Sequence, residues 1–198
     1  MLNRNISKVF QKLLTLSSIY VRIYPIYFLD YNVYIGGFNM SVELEMHQKV
    51  VSLLESYEIK CNGVLKYTAK KKVVAVGADF NVFDANGNQV ALIDQKILNA
   101  VKTYDITING QPAGTIKKKF PAITKDMNYD ARGWKLDGDA LGLNFKFTDA
   151  SKNVYATVKK KLVAIGDTYQ ISVQNPADEL LVVVLTIILD EAFHSKRS

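Results

Sequence analysis

Cysteine, histidine and tryptophan are scarce in this chain of 198 residues: one Cys, two His and one Trp. A lone Cys61 excludes an intramolecular disulfide framework, fits a reducing compartment, and has no visible partner to activate its thiol. With His47 and His194 as the only histidines, zinc clusters are excluded. A glycine-rich phosphate loop, a nucleophile elbow, a Cys–His pair and a close carboxylate pair are also missing, so neither catalysis nor a cofactor or metal is expected. No apolar run reaches the ~20 residues that a membrane-crossing helix needs.

The apolar run that is present is Leu180–Leu189, interrupted only by Thr186. It has no polar face, so it is not a surface helix. Its β-branched content would also suit a buried strand, and the flanks decide. Upstream, Asn175-Pro176-Ala177-Asp178-Glu179 supplies an N-cap, a proline at the first helical position and acids near the positive dipole end. Downstream, the chain continues without Gly or Pro. One helix over about 176–193 is predicted, ~27 Å long at 1.5 Å per residue, and the rest of the chain must wrap it.

Net charge is +6, shared between a short N-terminal stretch and a mildly basic body. Residues 1–39 hold Arg4, Lys8, Lys12 and Arg22 against Asp30; the rest is too weakly basic for a dedicated nucleic-acid binder. Lys12 and Arg22 break any signal-peptide core in that stretch. Three readings compete for it: an amphipathic membrane-surface segment, an extra structural element, or translated upstream sequence. The third is preferred, because Gly36-Gly37-Phe38-Asn39-Met40 can be encoded by a purine-rich GGAGG shortly before an ATG. On that reading Met40 starts a single domain covering 40–198.

Within 40–198 a pattern repeats. A Lys is followed eight residues later by a large apolar residue and ten later by another: Lys49/Tyr57/Ile59, Lys72/Phe80/Val82, Lys96/Tyr104/Ile106, Lys119/Met127/Tyr129 and Lys161/Tyr169/Ile171. The last gap spans nearly two units, and Trp134-x-Leu136 and Phe145-x-Phe147 within it read as a degenerate sixth copy, giving Trp134 a structural role. Period-two alternation marks strands, and Asn62-Gly63, Asn86-Gly87, Asn109-Gly110, Asp137-Gly138 and Ser151-Lys152-Asn153 mark turns. Six units of two strands predict a mainly β fold: a closed antiparallel barrel of about twelve strands around the buried C-terminal helix.

With the repeat, Asp94-Gln95-Lys96, Gly114-Thr115-Ile116-Lys117-Lys118-Lys119, Gly166-Asp167-Thr168-Tyr169 and the terminal helix, the chain resembles the LURP-one-related family over roughly residues 43–197, its bacterial members best. That family belongs to the tubby C-terminal-like group, which includes phospholipid scramblases. The resemblance implies a barrel around a buried helix and carries over no catalytic residue. Tubby-type relatives bind phosphoinositide head groups through basic residues, and scramblase-type relatives are associated with lipid movement and calcium.

Three lysine triplets, Lys70-Lys71-Lys72, Lys117-Lys118-Lys119 and Lys159-Lys160-Lys161, occupy equivalent places in their units and should gather at one barrel end. Alternation puts Lys71, Lys118 and Lys160 in phase with the core, where a charge must reach water or be paired. The triplets read either as a collar for phosphate or as a solvated barrel end that discourages strand addition. Nearby Asp79, Asp94, Asp105 and Asp167 argue against an anionic ligand. Asp84-Ala85-Asn86-Gly87-Asn88 and Asp126/Asn128/Asp130/Asp137 only partly match a calcium loop and read better as turn and strand. Asp190 and His194 share a helix face; Asp190 is expected to pair with a rim Lys or Arg. The expected role is a cytoplasmic binding or adaptor domain, a monomer with an undetermined protein partner. The alternative is a peripheral protein at the inner membrane face, holding anionic lipid head groups through the lysines.

Overall fold

The computed structural model describes residues 41–51, 54–73, 77–96, 101–118, 125–162 and 166–193. Twelve strands are formed among them: β1 (Val42–Val51), β2 (Leu54–Cys61), β3 (Val64–Lys71), β4 (Phe80–Asp84), β5 (Gln89–Lys96) and β6 (Thr103–Ile108), then β7 (Gln111–Lys118), β8 (Met127–Tyr129), β9 (Trp134–Gly138), β10 (Asn144–Thr148), β11 (Val154–Lys161) and β12 (Thr168–Val173). Each pairs antiparallel with its sequence neighbours, and β1 closes on β12 from Val42↔Val173 to His47↔Thr168. Closure leaves no edge strand to template aggregation. A short 3-10 turn (Pro176–Asp178) then leads into α1 (Glu179–Phe193).

Local chemistry fixes the turns at one end of the barrel, the polar end. Asn62 and Gly63 adopt φ of 50° and 80°, and Asn109 and Gly110 adopt 50° and 75°. Such left-handed pairs form the two-residue turns whose twist matches the strands they join. Longer connections fold around one aspartate each. Asp84 Oδ1 accepts from the N–H groups of Asn86 and Asn88 at 2.9 and 2.8 Å, and Asp149 Oδ1 accepts from those of Ser151 and Asn153 at 2.8 and 3.0 Å. At the other end Asp139 Oδ1 accepts from Leu143 N–H at 2.8 Å. Asp137-Gly138 is not itself a turn: it ends β9, and the reversal falls just beyond it, where Gly142 takes φ 69°. Gly166, at φ 71°, lies so close to the Gln48 carbonyl that a Cβ there would collide with it.

Alternation sends one residue in two inward. Met46, Tyr57, Ile59, Phe80, Ile93, Ile106, Ile116, Leu136 and Ile171 line the interior, at 0–1% exposure. Through their midst runs α1, with Val182, Val183, Val184, Leu185, Ile187 and Ile188 all at 0%. Asn175 caps the entry by accepting from Ala177 N–H at 3.1 Å, but the first turn is 3-10 rather than α, so the α-helix proper begins at Glu179. Thr186, the one polar residue in the run, donates to the Val182 carbonyl at 2.8 Å, which satisfies its hydroxyl within the helix. The apolar run of ten residues spans ~15 Å, comparable with the height of strands of six to eight residues tilted by ~40°.

Two measurements check this packing. Ile187→Ala, which opens a cavity with no exposed wall, should cost about 2–5 kcal/mol in urea denaturation; a loss below 1 kcal/mol would contradict enclosure on all sides. Hydrogen bonding from Asn88, Asn153 and Asn144 holds the carboxyls of Asp84, Asp149 and Asp139 below their ordinary range. Groups with lowered folded pKa stabilise above the unfolded value, roughly 3.9, and lose that contribution as pH falls through the folded value. Denaturation midpoints should therefore drop below about pH 4, and Asp149→Asn should flatten that drop while lowering stability at neutral pH.

Candidate functional site

The strand ends after β3, β7 and β11 and the C-terminal end of α1 all lie at the barrel end opposite the Asn-Gly turns. The lysine triplets therefore all lie at that end, four strands apart from one another round the rim, and period two splits each one. Lys71, Lys118 and Lys160 face the interior, while Lys70, Lys117, Lys159 and Lys161 are exposed and Lys72 is half-buried. Lys119 and His194 lie outside the described residues.

Two of the inward lysines, Lys71 and Lys160, meet the acids of the helix. Asp190 is 1% exposed. Its carboxylate accepts from the hydroxyl of Tyr57 at 2.6 Å, from the hydroxyl of Tyr169, and from the Lys160 ammonium at 3.3 Å. Lys160 also pairs with Asp167 at 2.5 Å. At the next residue of the helix, Lys71 bridges Glu191 and Glu55, each at 3.2 Å. Glu55 in turn stands 2.9 Å from the Tyr57 hydroxyl, whose single proton points to the nearer Asp190, and accepts from Gln48 at 2.5 Å, joining the two clusters. Lys102 donates to the Glu191 carbonyl at 3.1 Å, a cation at the negative end of the dipole. Lys118 and Lys125 lie 4.7 and 5.3 Å from the centroid of Phe193, which stacks on Phe145.

Titration behaviour follows from this geometry. Burial, then the negative charges of Asp190 and Glu55, hold the Tyr57 hydroxyl well above its ordinary range, and burial and Asp190 do the same to Tyr169. Both therefore stay protonated donors. Burial pulls Lys71 down, but Glu191 and Glu55 outweigh it and the net direction is up. Burial raises Glu191 despite the opposing pull of Lys71. Tyr57, Tyr169 and Asp190 are all within 1% of complete burial, so the centre of the network is closed to solute and serves to seat the helix.

The other end of α1 is strapped in the same way. Lys66 pairs with Glu179 at 2.7 Å and Arg132 pairs with Asp178. The Arg132 guanidinium stands 5.0 Å from the Trp134 ring, and Trp134 stacks on Tyr155 at 4.7 Å. Trp134 thus closes the barrel beneath the helix entry.

The outward lysines are different. Lys70, Lys72, Lys117, Lys159 and Lys161 form no ion pair with another described residue. The acids expected to cancel them are engaged elsewhere. Asp94 and Asp105 both hold Lys96, at 2.8 and 3.0 Å; Asp167 holds Lys160; Asp79 accepts from Gln95 N–H at 3.0 Å. Among the described residues no three acids, histidines or cysteines come together to hold a metal, and the Asp84 carboxylate is occupied by its own turn.

Asp190→Ala should cost about 3–5 kcal/mol in thermal or urea unfolding, because it removes one partner of a buried pair, leaving the Lys160 ammonium with Asp167 alone and the buried Tyr169 hydroxyl without its acceptor. Lys160→Met combined with Asp190→Asn keeps an acceptor for both tyrosines and should recover at least half of the loss. Melting curves unchanged by Asp190→Ala would show the network to be dispensable.

Comparison with known proteins agrees with this geometry. The X-ray structure of a protein from Arabidopsis thaliana shares 16% identity and a TM-score of 0.54, over 75% of this chain and 90% of that one, which is a likeness of fold. Among curated proteins none matches. The family model described as LURP-one-related matches residues 42–190, from the start of β1 to the helix carboxylate Asp190. The chain belongs to the LURP-one-related family.

Proposed function

We propose that this tubby-like barrel is a non-enzymatic binding module of the cytoplasm that engages an anionic partner through its lysine-bearing end. The observation that carries the reading is the split of the triplets. Of the inward lysines, Lys71 and Lys160 are consumed by the acids of the helix and its surroundings and Lys118 lies over Phe193, whereas the outward ones form no ion pair with a described residue, and all but half-buried Lys72 face solvent. An internal ligand is disfavoured, since α1 occupies the space one would need, with Val182–Leu189 at 0–1% exposure. A surface tens of ångströms across, rather than a pocket, is what five separated cations suit. Free Cys61 agrees with a reducing compartment.

Retention on phosphocellulose tests this directly. The unaltered chain should be retained and elute with salt, as screened surface charges require. The variant Lys159→Glu/Lys161→Glu should elute at clearly lower salt with an unchanged melting temperature, because neither side chain forms an ion pair with another described residue; Lys117 is left in place because its charge acts on Asp105. Equal elution of the two proteins would refute the reading.

A further inference from the structure

At the lysine-bearing end, three large apolar side chains stand in water at separate points of the rim. Val73, after β3, is 76% exposed; Leu141, between β9 and β10, is 73%; Leu162, after β11, is 69%. Two of them directly follow a lysine triplet. The chain continues in the same character: Lys70–Lys72 is followed by Val-Val-Ala-Val, Lys117–Lys119 by Phe-Pro-Ala-Ile and Lys159–Lys161 by Leu-Val-Ala-Ile. Exposed apolar residues also occur at the polar end, namely Val64, Leu65 and Val154. There they neighbour Asn62-Gly63 and the Asp84 and Asp149 turns, with no lysine triplet.

We propose that this end docks on the surface of an anionic lipid bilayer, with Val73, Leu141 and Leu162 entering the interface and Lys70, Lys72, Lys117, Lys159 and Lys161 contacting the phosphates. The inference rests on the reading above that this end binds an anionic partner, and it names that partner. A soluble phosphate or a nucleic acid would satisfy the lysines but leave the apolar side chains in water. A bilayer satisfies both, since its anionic plane lies a few ångströms above its apolar layer. The lysines stand at strand ends and the apolar residues just beyond them, which is the order in which a descending barrel would meet the interior after the phosphates. The barrel axis then stands upright on the membrane with the C-terminal end of α1 toward it. Each lysine brought to an anionic surface strengthens binding by roughly fivefold, so no single one is decisive.

The test is co-sedimentation of the full chain with phosphatidylcholine vesicles, with and without one-third phosphatidylglycerol. Binding is expected only to the anionic vesicles, and it should weaken with salt. Leu141→Ser/Leu162→Ser should cost at least about tenfold in affinity, since even partial insertion removes apolar area of both side chains from water, while leaving phosphocellulose retention unchanged. A tryptophan introduced as Leu141→Trp should shift its emission to the blue on anionic vesicles and not with inorganic phosphate. Because every variant is read against the unaltered chain, any contribution of residues 1–39 cancels. Retention on phosphocellulose without vesicle binding would overturn this inference and leave the broader reading standing; failure of both would remove both. Vesicle binding indifferent to Leu141→Ser/Leu162→Ser would overturn the insertion. So would self-association that Leu141→Ser/Leu162→Ser abolishes in a chain that ignores vesicles, since the apolar end would then serve a second copy.

Discussion

A helix without a polar face is the constraint to which the rest of the molecule answers. From Leu181 to Leu189 every side chain of α1 is buried, so no single layer of structure could cover it. Only a surface that closes on itself covers a cylinder on all sides, and twelve short antiparallel strands joined by tight turns achieve that with purely local connections. The dependence is mutual. A barrel of this girth would enclose empty space if its own side chains were left to fill it, and α1 supplies the missing core.

Charge settles where along the barrel axis the helix sits. Its N-terminal acids, Asp178 and Glu179, are favoured by the helix dipole and further held by Arg132 and Lys66. Its C-terminal acids, Asp190 and Glu191, oppose the dipole and need cations, which β3 and β11 send inward as Lys71 and Lys160. A shift of α1 by one turn in either direction would drag a carboxylate pair into the apolar barrel and leave a buried ammonium behind. Buried ion pairs are weak evidence for net stability, because desolvation offsets much of their attraction. Their effect here is on position: they penalise every depth but one.

Which parts of this were readable in the chain follows from how far apart in sequence the interacting parts lie. The barrel was legible because its signals are local: a lysine-to-aromatic repeat, period-two strands, Asn-Gly pairs and a proline at the helix start. The inward phase of Lys71, Lys118 and Lys160 was legible for the same reason, as alternation relative to their neighbours. Their partners were not. Lys66 and Glu179 lie 113 positions apart, and Tyr57 and Asp190 lie 133 apart, so only the closed register brings them together. Glu55, Lys102 and Arg132 carry no pattern that marks them as supports of the helix. Asp137-Gly138 misled because β9 runs through it before turning. Leu141 lies in the short connection Asp139-Ala140-Leu141-Gly142-Leu143, where no strand or helix periodicity marks it. The apolar tetrads behind each lysine triplet are plain in the sequence, but a search for strands passes over connections.

The two fates of each triplet are linked. Left alone, the negative end of α1, with Asp190, Glu191, Glu55 and Asp167 gathered round it, would make the lysine-bearing end acidic at its centre. Lys71, Lys160, Lys102 and Lys118 converge on that same mouth, four cations against four carboxylates. The mouth is thereby close to neutral, and the field that reaches solvent belongs to the outward lysines. In β3 and β11 an alternating Lys-Lys-Lys at the strand end does both things at once: the middle residue cancels charge on the plug, and its neighbours give the face its sign. Seating the helix and charging the surface are thus consequences of one strand register, so a slip of β3 or β11 by one residue would exchange the two roles and abolish both.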